Sequence, residues 1–167
     1  MTRGPRRVNS ITDSRAHEMA LQQIDSERAT VLSDIVFVLE SSGVSVDRAL
    51  GFDYLSAQTI ERSYRSLVRS RSLSDEDLRV LERLIGIFLG ELIVLENKNA
   101  AWGIYRGPYD VYSPIGIKLE GSQFVDVFLF CDDLQGKSVA GREDCTALEC
   151  FVRAAAEVST PMKRSKK

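Results

Sequence analysis

Most of the side chains able to do chemistry in this 167-residue chain are acids. Glu91 interrupts the most apolar stretch, Leu84 to Leu95, and Asp110, Asp126 and the adjacent pair Asp132 and Asp133 follow it. Two carboxylates brought together suffice for general acid–base work or for holding a hard cation. Glu91 with Asp110 or Asp126 is the pairing an enzyme would use, while Asp132 and Asp133 read most simply as two charges at a helix end. Other chemistries are closed off more firmly. His17 is the single histidine and lies near the start of a helical pattern, so nucleophilic catalysis with a histidine base has no partner in view. The segment "GIFLG" falls within a helical pattern and lacks the Lys and Ser or Thr of a phosphate-binding loop. Cys131, Cys145 and Cys150 make an odd count with no paired spacing, so neither a zinc site nor a bound cofactor is expected.

Glu91 has a second reading. Phe88 lies three positions before it and Leu95 four after, which puts the acid on or beside the apolar stripe of a helix. An ionised carboxylate left unpaired there is costly, so it must reach water or donors. The following segment offers the Trp102 indole N–H, backbone N–H groups and Arg106. The favoured reading is therefore a structural tie, and a role facing a partner or ligand is its alternative. Trp102, Tyr105, Tyr109 and Tyr112 fall within eleven residues of a chain that is otherwise not rich in aromatics. Such rings on an exposed hairpin suit partner recognition, and covering the helix beneath them is an equal alternative. Glu91 and these four aromatics form the candidate binding set.

The elements that must position them follow from periodicity. Residues 1–12 are a polar, Arg-rich lead read as disordered. From Asp13 a helical pattern runs to about Glu40, with Met19, Ala20, Ile24, Val31, Ile35 and Val38 on its inner face and Gly43 as its stop. A second helix is expected to be capped at Ser56, with Ile60, Tyr64, Leu67 and Val68 inward and Arg62, Arg65 and Arg69 outward. A third begins at Ser74, with Asp77 completing the cap and Leu73 and Leu78 as a hydrophobic staple. Leu78, Leu81, Ile85, Phe88 and Leu92 line its inner face. Gly86 and Gly90 leave a flat patch suited to close approach of another backbone.

After "ENKN" the period changes to strand, giving a hairpin from about Ala101 to Leu119 with its turn at "RGPYD". Pro114 cannot donate to a ladder, which predicts that the second strand lies at an edge or is bulged. Gln123 to Leu134 reads either as one strand or as a short strand, Gln123 to Val125, followed by a helix capped by Asp126, the second being preferred. A last helix is expected over Glu143 to Val158. The fold class is α+β: N-terminal helices packed on a small antiparallel meander, with C-terminal helices, in a single domain over 13–158 and basic tails at 1–12 and 159–167.

The charge distribution bears on function. Setting aside the eight basic residues and Asp13 of the two ends leaves 14 basic and 23 acidic side chains in residues 17–158, a net charge of −9. Such a body repels nucleic acid, whose binding needs clustered Lys and Arg, so no specific nucleic-acid partner is expected. No apolar signal segment and no run of the ~20 apolar residues that span a bilayer are visible, so a cytoplasmic chain with reduced thiols is expected.

The motifs "FDYLSAQTIERSYRSL" and "LIGIFLGELI", with Trp102 and Pro114, resemble a set of small bacterial domains of unknown function. In these an Asp-Tyr-Ser-x-x-Ser-Leu-like helix start precedes a Tyr-Leu-Gly-Glu helix end, a Trp strand and a Pro-containing strand. The matching positions are Asp53, Tyr54, Ser56, Leu89, Gly90, Glu91, Trp102 and Pro114, within about residues 50–134. Leu55 stands before the serine, and Thr59 and Ile60 replace the expected Ser-Leu. The resemblance implies an α+β fold and no known catalytic residue, and such proteins look like toxin-immunity or accessory proteins. The expectation is a non-catalytic binding protein for a basic protein partner. Its alternatives are a carboxylate or metal enzyme built on Glu91 and an adaptor whose tails contact nucleic acid or membrane.

Overall fold

A helix of 32 residues, α1 (Ser10–Ser41), opens the fold and begins three residues before Asp13. The computed structural model describes residues 10–105 and 115–128, together with Leu134 and Val152. Ile24, Val31, Ile35 and Leu39, at spacings of seven and four, form the buried stripe of α1, whereas Met19 is 61 % exposed. The helix stops as its sequence demands. The Gly43 N–H donates to the Glu40 carbonyl at 3.0 Å and the Val44 N–H to that of Leu39 at 2.9 Å, with Gly43 at a φ of +84°.

The second helix, α2 (Tyr54–Ser70), is capped by Asp53 and not by Ser56. The Asp53 carboxylate accepts the Ser56 N–H at 2.6 Å, so the cap lies three residues earlier than expected. Ser56 is buried, and its hydroxyl accepts the Gly51 N–H at 2.9 Å. Ile60, Tyr64 and Leu67 are buried as expected, and Arg62 and Arg69 are exposed. Arg65 is a correction: it is buried, and pairs with the buried Glu61 one turn before it at 2.7 Å. The covered arc of α2 is wider than its four apolar positions indicate, and the pair carries its own charge balance into it.

The third helix, α3 (Asp75–Glu96), starts where its cap predicts. Ser74 accepts the Asp77 N–H at 3.1 Å and donates its hydroxyl to the Asp77 carboxylate at 2.7 Å. Three acids in its first turn face the positive end of the helix dipole. None of the described helices is long and apolar enough to cross a membrane.

Among the described residues the sheet has three antiparallel strands, β1 (Ala101–Ile104), β2 (Ile115–Lys118) and β3 (Phe124–Val125), in the order β1-β2-β3. Trp102 faces Ile117 in the ladder and Gly103 faces Gly116. The second strand is thus central and not at an edge: it begins after Pro114, which lies outside the described residues with the rest of the 106–114 turn. A turn at Glu120–Ser122, with Gly121 at a φ of +74°, joins β2 to β3. By alternation Trp102, Ile104, Ile117 and Val125 share the face turned to α3, and Gly103, Gly116, Lys118 and Phe124 share the other.

After β3, the Asp126 carboxylate accepts the Phe128 N–H at 3.0 Å. Of the expected C-terminal helices only Leu134 and Val152 are described; both are helical and fully buried. One apolar cluster takes in residues of α1, α2, α3, the sheet, Leu134 and Val152. The class is α+β, with α1, α2 and α3 preceding the strands.

Candidate functional site

Gly86 and Gly90 lie four apart on α3 and so present one bare strip of helix. Aromatic rings occupy it, and not the backbone that the glycine spacing suggested. A β-carbon on Gly86 would come within 2.5 Å of the Phe128 ring, and one on Gly90 would collide with the indole of Trp102. The two rings lie against each other with centroids 6.3 Å apart, and the Arg83 guanidinium sits 5.6 Å over Phe128.

Seating Trp102 on Gly90 brings its indole to Glu91. The Nε1–H donates to Glu91 Oε1 at 2.7 Å, so the tie between helix end and hairpin is the one expected from the sequence. A third partner comes from α1. Arg28 Nη2 donates to Glu91 Oε2 at 3.3 Å, and Nε lies 2.5 Å from Oε1 outside hydrogen-bond alignment. The Glu91 side chain is only 13 % exposed. Burial works against the Arg28 charge, but the carboxylates of Glu91 and Asp25 outweigh it and hold its pKa above the ordinary arginine value. Glu27, the residue before Arg28, accepts from Arg83 of α3 at 2.8 Å. Arg28 was the member missed from sequence. Its signal was its place on the buried stripe of α1, four after Ile24 and three before Val31.

These contacts commit Glu91 and Trp102 to holding α1, α3 and β1 together. Among the carboxylates that an enzyme would pair with Glu91, Asp126 is engaged with the Phe128 N–H and Asp110 lies outside the described residues. Among the described residues no group of three His, Cys, Asp or Glu side chains is placed to hold a metal ion.

The aromatic set divides differently. Tyr109 and Tyr112 lie outside the described residues. Tyr105 is 38 % exposed, and its ring meets that of Phe124 from β3 at 5.3 Å. Both border a cleft of about 760 Å³ between the N-terminal half of α1 and the sheet. His17, Glu18 and Leu21 form the helix wall, and Trp102 through Tyr105, with Lys118 and Phe124, form the sheet wall. The Lys118 stem lies back over Gly103, where a β-carbon would stand 2.6 Å from its Cδ. His17 and Lys118 drew no functional expectation from sequence, because neither has a motif and only folding sets them across one cleft. No protein-family model, curated protein or solved structure matches the chain.

Proposed function

We propose that this chain is a non-catalytic binding protein of immunity or accessory type, acting in the cytoplasm of a bacterial cell on a basic protein partner. The observation that carries this reading is the division of labour among the aromatic residues. Trp102 is spent on Glu91, whereas Tyr105 keeps 38 % of its surface exposed at the mouth of the cleft. A rigid ring with a polar tip, half-exposed beside a concave surface, is the side chain most used to anchor a partner. The excess of acids in residues 17–158 favours a basic partner, since complementary charge speeds encounter and rejects wrong partners.

The neighbouring genes supply the test. A neighbouring coding region for a basic effector is expected. Calorimetry of its product against this chain should show binding that weakens as salt rises and loses at least about tenfold, roughly 1.4 kcal/mol, on Tyr105→Ala. A metabolic gene neighbourhood, or affinity indifferent to both salt and Tyr105, overturns the reading.

A further inference from the structure

We infer that the cleft between α1 and the sheet is a binding site for a small aromatic monocarboxylate. Such a ligand belongs to the chain alone, whether or not a protein partner binds beside it. Gly103 and Gly116 face each other in the ladder, on the sheet face turned away from α3. The middle of that face therefore has no side chain of its own, and its neighbours lie down across it. A β-carbon on Gly103 would stand 2.6 Å from Cδ and Cε of Lys118, and one on Gly116 2.6 Å from Cζ of Phe124. The Lys118 stem thus crosses from β2 to β1 and carries its ammonium, one bond beyond Cε, over the Gly103 backbone. The Phe124 ring meets that of Tyr105 with centroids 5.3 Å apart, giving the same cleft an aromatic floor.

The lining selects the occupant. His17, Glu18 and Leu21 of α1 turn the sheet face into a concave site of about 760 Å³, within the roughly 300–1,000 Å³ of ligand pockets. Among the described residues Lys118 takes part in no ion pair. Its stem is laid on the sheet while its charge stays open to an anion. A carboxylate meets that ammonium in a charge-assisted hydrogen bond, and an attached ring stacks on Phe124 and Tyr105. Leu21 adds apolar contact from the opposite wall. Glu18 sets one negative charge in the same wall, which disfavours a second negative charge on the ligand. Lys118 likewise disfavours an aromatic cation. One ring and one carboxylate meet these demands.

The probe is 3-phenylpropionate added to the full chain, followed by calorimetry and by the emission of Trp102, the single tryptophan, which lines the cleft. Saturable binding with a Kd below about 1 mM is expected. The matching amine, 3-phenylpropylamine, and the dianion 2-phenylethyl phosphate should each bind at least about tenfold more weakly. The acid 3-cyclohexylpropionate, which cannot stack, should lose about threefold. Lys118→Met keeps a stem over Gly103 and drops the charge, so it should weaken 3-phenylpropionate by about tenfold with unchanged circular dichroism. A lysine serving only to cover Gly103 would leave that affinity unmoved. Equal affinity for the amine, the phosphate or the cyclohexyl acid, an indifferent Lys118→Met, or no saturable binding overturns the site. The protein-partner role is judged separately, by calorimetry on the neighbouring gene's product.

Discussion

The Glu91 carboxylate takes the Trp102 indole N–H from one side and the Arg28 guanidinium from the other. Glu91→Gln keeps the shape but removes the charge that both donors meet, leaving Arg28 half-buried beside a neutral amide. The loss should be roughly 1–3 kcal/mol of unfolding free energy, as for charge-assisted bonds in partly buried sites. Trp102→Phe should cost a similar amount, and the double variant less than the sum, because both changes weaken the same contact. Urea melts of the three variants check this, and full additivity would break the pairing. Gly90 poses a question of sign. Helix propensity alone favours Gly90→Ala by about 1 kcal/mol. The added methyl would collide with an indole that Glu91 holds in place, so a net loss of about 1–2 kcal/mol is expected instead. In a Trp102→Ala background the obstacle is gone, and Gly90→Ala should turn stabilising. An unchanged sign there would show that the indole is not what the methyl meets.

Among the secondary elements, the start of α2 is the place where protonation matters. The Ser56 backbone N–H is the first cause holding the Asp53 carboxyl below the ordinary aspartate pKa, against a smaller opposing effect of burial. A carboxyl with a folded-state pKa below its unfolded value lends stability above the unfolded value, near pH 4. That stability is lost as pH falls through the lowered folded-state value. Asp53→Ala should therefore lower the melting temperature near neutral pH, by an amount equivalent to about 1 kcal/mol for a lost cap. The gap to the parent protein should narrow steadily below about pH 4. A gap of constant width down to pH 2 would assign the loss to something other than the charged cap.

For the molecule as a whole, one apolar cluster joins α1, α2, α3, the sheet, Leu134 and Val152. Elements that share a core lose it together, so unfolding should be a single transition. Helix loss followed by circular dichroism and Trp102 emission report on different parts of the fold, and their melting curves should coincide. Emission changing well before helicity would show the sheet detaching from the helices, and would place Trp102 outside the cooperative unit.

Much of this was legible in the chain because it depends on near neighbours. Helix period, the Ser74 cap, the Gly43 stop, the strand pattern and the pairing of Glu91 with Trp102 all act over eleven residues or fewer. Burial cost alone required donors for Glu91 and pointed to the hairpin that follows it. Arg28 could not be found this way, since it meets Glu91 across 63 positions and only helix packing brings it there. Arg65 read as exposed because its type is usually wet, and packing against α2 covered it together with Glu61. Asp53 took the cap expected of Ser56 because a backbone turn at Gly51 claimed the serine hydroxyl. The cleft is the extreme case. His17 is far from Tyr105 and Lys118 in a chain that gives them no motif, and their meeting depends on where α1 lies relative to the sheet. Local sequence sets hydrogen bonds and period, whereas apolar burial across the whole chain sets which distant surfaces face each other.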